Sequence, residues 1–220
     1  METRDDVLIG DPWRENRFLR VVVYLSILVW VAAAIAPHDR GDWLLENLLV
    51  FLAAGGLVWG YRRLVLSNLS YGLLFVFFVL HVVGSNSTYS LAPPGEWIQQ
   101  ALDLARNPYD RIVHFAFGLL LAWPFRELTL RVLHVHGPWS YGIPLFAVLA
   151  LSSVYEILEA MAARVVDPEL GIAFVGAQGD PWDAQQDMAL ALLGAALALA
   201  VIAAYRRRTD REPWGLFAPR

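Results

Sequence analysis

The chain contains no cysteine in 220 residues. That excludes a disulfide framework, thiolate-bound zinc, an iron–sulfur cluster and a thiol nucleophile, and it leaves the redox compartment open. Lysine is absent too, so all 17 basic residues are arginine, a coding bias more than a mechanism. Charge of either sign is scarce: 17% of residues against about a quarter in a soluble domain. With 57% hydrophobic residues, there is too little polar surface for a disordered tail, a collagen-like fibre or most soluble enzymes. The net charge of −4 gives no basic footprint for a nucleic-acid partner.

What the chain does have is long apolar runs. A membrane-crossing helix needs about 20 mostly apolar residues. Six segments approach that: Phe18–Ala36, Trp43–Trp59, Leu69–Gly84, Ile112–Phe125, Tyr141–Ala163 and Met188–Tyr205. They are apolar all round rather than striped, which argues against a soluble bundle. The fold class this predicts is all-α, a polytopic membrane helix bundle of about six transmembrane helices. Residues 1–17 form an N-terminal tail, 18–205 the six-span membrane domain and 206–220 a C-terminal tail. Ala34-Ile35-Ala36 resembles a signal-peptide cleavage site, but Pro37 would follow the cut and the leader carries Asp5, Asp6, Asp11 and Glu15. The first span is therefore read as retained.

Arginines near spans stay on the cytoplasmic side. Thirteen of the 17 fall on one side, with Arg40, Arg106, Arg111 and Arg164 on the other. This predicts six spans with both termini cytoplasmic. On the outer side, Pro93-Pro94 precedes an amphipathic pattern from Glu96 to Arg106, a helix able to lie in the outer interface. On the inner side, His134 and His136 read as a solvated pair, and Arg126-Glu127 as an interfacial pair that orients its helix. Small residues in the last span, among them Ala191, Gly194 and Ala195, permit close helix contact.

With that orientation the ionisable residues gather at the outer ends of the spans. Asp110 and His114 stand at i, i+4 with Gly118 on the same face. Glu156 and Glu159 share a face of span five with Ser152. Asp183 and Asp187 enter span six at i, i+4, after Asp180 as helix cap and Pro181 in the first turn. His81 ends span three. Charges in a bilayer cost about 2.5–3.5 kcal/mol each even on the lenient scale, so these groups must face one another, water or a cation. Arg106, Arg111 and Arg164 are internal partners; a divalent metal is an external one, since carboxylates and imidazoles are its usual ligands. A haem between His81 and His114 is disfavoured by the surrounding acids. No EF-hand, P-loop, dinucleotide fingerprint, serine-hydrolase elbow or HExxH motif is present.

Arg106-Asn107-Pro108-Tyr109-Asp110-Arg111-Ile112-Val113-His114-Phe115 resembles the RN-x-YDR-x-x-HF signature of YjdF-like bacterial inner-membrane proteins, a family named as a domain of unknown function. Tyr155-Glu156-Ile157-Leu158-Glu159 resembles its YE-x-x-E block, and the stretch from Gln178 to Met188 its QGD-x-WDAQ-x-DM block. Leu80-His81-Val82-Val83-Gly84 followed by Tyr89 looks like a fourth block, with the stretch Asn86-Ser87-Thr88-Tyr89 departing from the family's more aromatic pattern. The resemblance implies a multi-span inner-membrane protein and assigns no reaction. A fainter similarity, carried by the order of the Asp110/His114, Glu156/Glu159 and Asp183/Asp187 pairs, is to VanZ-like membrane proteins.

The expected site is an acid–imidazole cluster in the outer leaflet that binds or hydrolyses a lipid head group or an envelope precursor. His114 or Glu156 would be the general base, with Asp110 and Glu159 beside them. His81, Asp183 and Asp187 would hold a metal or orient water. Arg106, Arg111, Gln178, Asp180 and Tyr89 would support the ligand. The alternatives are a non-catalytic envelope scaffold and, behind it, a proton-coupled transporter, which lacks a broken-helix pair.

Overall fold

A computed structural model describes residues 12–61, 64–166, 171, 175 and 177–209. Among these are seven helices and no strand: α1 Arg17–Ile35, α2 Arg40–Tyr61, α3 Asn68–Asn86, α4 Pro93–Leu102, α5 Tyr109–Arg131, α6 Trp139–Val165 and α7 Asp183–Thr209. Five of them (α1, α2, α3, α6 and α7) are long and apolar enough to cross a membrane.

α5 misses that standard because it carries Asp110, Arg111, Arg126, Glu127 and Arg131. It nonetheless runs the length of the bundle. Its start is tied to the far end of α3 by the Tyr109 hydroxyl on the Leu80 carbonyl (2.9 Å). Its finish is tied to the beginning of α3 by Glu127, which accepts from Ser67. The six long helices thus alternate in direction, and both described chain ends lie at one end of the bundle, opposite α4. α5 affords its charges because it is wrapped by α3, α6 and α7: it buries 14 of its 23 residues, whereas α1 buries only Leu19.

The core lies along the α5–α7 crossing, where Ala122, Trp123, Val148, Ala191, Ala195 and Leu199 pack together. A β-carbon on Gly118 would run into the Ala191 carbonyl, and one on Gly194 into the Phe115 carbonyl. Only glycine permits this approach of backbones.

Two expectations are corrected. The amphipathic helix α4 stops at Leu102 rather than Arg106, because Asp103 turns left-handed (φ 52°) and its N–H caps the Gln99 carbonyl. Arg126 and Glu127 are not interfacial: both are fully buried. Glu127 pairs with Arg131 (2.5 Å) and accepts from the Ser67 N–H (2.8 Å), the Ser67 hydroxyl (2.7 Å) and the Ser70 hydroxyl. Arg126 lies over the Tyr141 ring at 4.4 Å, a cation–π contact. His134 and His136 are exposed.

Candidate functional site

The opposite end of the bundle, beside α4, is polar and is built around Asn107. Its carboxamide oxygen accepts from the Tyr109 N–H (2.9 Å), and its amide donates to the Ala92 carbonyl (3.1 Å). Its backbone N–H and C=O both bond the Gln178 side chain at 3.0 Å. Gly95 makes room for it, since a β-carbon there would overlap the Asn107 carboxamide. One buried amide therefore joins the start of α4, the start of α5 and the segment before α7, where Gln178 holds a left-handed backbone (φ 49°).

That clamp aligns two arginines with two acids. Arg106 bonds the Asp183 carboxylate and the Ala177 carbonyl (3.2 Å). Arg111 bonds Asp180 at 2.5 Å and lies 3.6 Å from Asp183. The Trp182 N–H, Arg111 and Gln186 hold the Asp180 carboxyl below its usual range. Asp180 caps the turn at Trp182 (2.9 Å), and α7 itself begins at Asp183.

Beside this rim, acids from three helices meet an imidazole. Asp110 and His114 of α5 meet Glu156 of α6 and Asp187 of α7. His114 Nε2 is 3.6 Å from Asp110 Oδ1 and 3.4 Å from Glu156 Oε1. Donor atoms of Asp110, His114 and Asp187 all lie within 4.8 Å of one another. Asp187 is 1% exposed, and its Oδ1 has no hydrogen-bond partner; neither has Glu156 Oε1. Such a group can take a proton from water, accept hydrogen bonds from a ligand, or bind a cation.

A second polar group adjoins it. The Tyr89 hydroxyl bonds His81 Nδ1 (2.7 Å), while His81 Nε2 lies 3.9 Å from Glu46 Oε2. Glu46 accepts from the Tyr155 hydroxyl (3.1 Å), and buried Glu159 neighbours Tyr155 and Glu156. Tyr89 reaches His81 by folding back on Gly84, whose missing side chain its ring occupies. Burial, reinforced by Glu46 and Asp110, pushes the Tyr89 phenol well above its usual range.

The site residues read from the sequence thus fall into three sets. Asp110, His114, Glu156 and Asp187 come together. Arg106, Arg111, Asp180 and Asp183 form an ion-pair rim framed by Gln178. His81, Tyr89 and Glu159 belong to the neighbouring hydrogen-bonded group. His81, Asp183 and Asp187 do not form one donor set. Sequence reasoning passed over Glu46, Tyr155 and Asn107. The signal for Glu46 was the Asp42-x-x-x-Glu46 pair at the start of span two; Asn107 and Tyr155 stood inside the quoted motifs without a role.

The chain matches the family described as "Predicted membrane protein (DUF2238)" over residues 18–208. It is 36% identical to the inner membrane protein YjdF of Escherichia coli (strain K12) over 186 residues, covering 84% of this chain and 88% of that protein. No solved structure matches it. The apolar helices and a likeness that spans nearly the whole membrane domain make this a multi-pass membrane protein, and it belongs to the DUF2238 (YjdF-like) family.

Proposed function

We propose that this protein binds the polar head group of a lipid, or of a lipid-linked envelope precursor, in the outer leaflet of the bacterial inner membrane, and that its side chains support hydrolysis of that group. The observation that carries the reading is the meeting of Asp110, His114, Glu156 and Asp187 from three helices, with two carboxylate oxygens left without hydrogen bonds. Each such oxygen costs roughly 1–3 kcal/mol, a cost a polar ligand would offset.

In this reading both termini are cytoplasmic, following the arginine bias, and α4 lies in the outer interface. Trp97, Ile98 and Leu102 of α4 are exposed and suit contact with lipid. His114 or Glu156 takes a proton from the attacking water, and Asp110 orients the imidazole. Glu159 backs Glu156 from the same helix. Arg106, Arg111, Asp180, Gln178 and Tyr89 hold the frame.

The test is reconstitution of the full chain in vesicles of phosphatidylethanolamine and phosphatidylglycerol. Lipid retained on re-extraction is read by native mass spectrometry, and released head group by chromatography. Wild type should retain polar lipid, and His114→Ala and Glu156→Gln should lower head-group release by about 100-fold or more, the usual weight of a positioned acid or base. Equal retention in all three proteins, with no head group released, would rule the reading out.

A scaffold role has its own support. The Arg106–Asp183 and Arg111–Asp180 pairs and the Asn107–Gln178 bonds are satisfied within the chain and call for no ligand. Under that reading Asp183→Asn and Glu156→Gln lower stability together, and a stable variant always complements a deletion.

A further inference from the structure

We infer that Asp110, His114 and Asp187 bind one divalent transition-metal ion, with Glu156 as a fourth ligand from α6. The inference rests on reading this end of the bundle as a ligand site, and it names what that site holds; with the ion in place His114 and Glu156 serve as its ligands and not as proton acceptors.

Three observations support it. First, the spacings suit a shared ion better than direct bonds. A four-coordinate ion with ligands at about 2.0–2.2 Å keeps its donors roughly 3.3–3.6 Å apart. His114 Nε2 stands 3.4 Å from Glu156 Oε1 and 3.6 Å from Asp110 Oδ1, and the Asp187 donor lies within 4.8 Å of both His114 and Asp110. Second, Asp187 is 99% buried in the bundle and its Oδ1 is unpartnered, as is Glu156 Oε1. A buried carboxylate oxygen with no donor is costly, and a cation relieves it. Third, the nearby arginines are already committed: Arg106 to Asp183 and the Ala177 carbonyl, Arg111 to Asp180.

The donor chemistry narrows the class. The imidazole favours zinc over magnesium, calcium and manganese, which prefer all-oxygen ligand sets. His81 is outside the set, since its Nδ1 bonds Tyr89 and its Nε2 faces Glu46.

The test uses the full chain in detergent, stripped with EDTA and dialysed against Zn²⁺ without added lipid, with elemental analysis. Wild type should hold one zinc per chain. Asp187→Asn and His114→Ala should each weaken binding by at least about tenfold, whereas His136→Ala, exposed at the opposite end of the bundle, should keep it. Co²⁺ in place of zinc should give a visible absorption band in wild type, a readout that needs no variant to fold. Less than about a tenth of an equivalent of zinc in wild type, an absent cobalt band, or an Asp187→Asn variant that binds as tightly as wild type would each overturn the inference. Zinc bound by a protein that retains no polar lipid would sink the head-group reading alone; lipid retained by a metal-free wild type would sink the metal alone.

Discussion

Gly118 presses its α-carbon against the carbonyl of Ala191, closely enough that a side chain on it would overlap that oxygen. One turn toward the α4 end, the same two helices carry His114 and Asp187. The small-residue crossing therefore sets the distance at which the acids and the imidazole meet: packing on one turn decides chemistry on the next.

Gly118→Val should consequently do two things. Forcing a branched side chain into the crossing costs about 1–3 kcal/mol or more, seen as a lower thermal midpoint in detergent. It should also spread α5 from α7 and weaken ligand or zinc binding, although residue 118 touches neither. A variant with full stability and full binding would show that the crossing does not set the site.

Arg106→Ala removes the partner of a buried acid. Breaking such a pair costs roughly 3–5 kcal/mol, softened here because Arg111 stands 3.6 Å from Asp183. Arg106→Lys should recover only part, since the compact ammonium on its shorter stem does not sit where the guanidinium Nη1 meets both Asp183 and the Ala177 carbonyl. Denaturation by sodium dodecyl sulfate, compared across the three proteins, reads the order wild type, Lys, Ala.

At the opposite end, Glu127→Ala strands the Ser67 N–H, the Ser67 and Ser70 hydroxyls and Arg131. A loss of roughly 3–5 kcal/mol is expected, with abundance in the membrane falling. The protein that does fold should bind zinc with wild-type affinity, because the site lies across the bundle. A change in zinc affinity larger than the change in stability would mean that the two ends are coupled.

The absence of cysteine makes topology directly measurable. Single cysteines at Gln100 in α4 and at His134 in the α5–α6 turn, both exposed, should react from opposite faces. A membrane-impermeant maleimide added to spheroplasts should label position 100 and spare 134. The reverse pattern would place the polar site at the cytoplasmic face.

What the sequence determined by itself was the set of crossings. Apolar runs of membrane length are local, and nearly every long helix lies within a few residues of its run, as α1 (Arg17–Ile35) does against the predicted 18–36. The gathering of Asp110, His114, Glu156 and Asp187 toward one end was legible for the same reason, since helix direction alternates and i, i+4 spacing is fixed by the helix itself. Tertiary structure alone decided which charges find partners. Asp183 was drawn away by Arg106, Glu127 was buried among serines, and Glu46 came in from α2, a span to which the sequence assigns no site residue. Those outcomes depend on where helices cross and how their side chains meet, and crossings such as Gly118 on Ala191 join residues about 70 positions apart, beyond the reach of any local pattern.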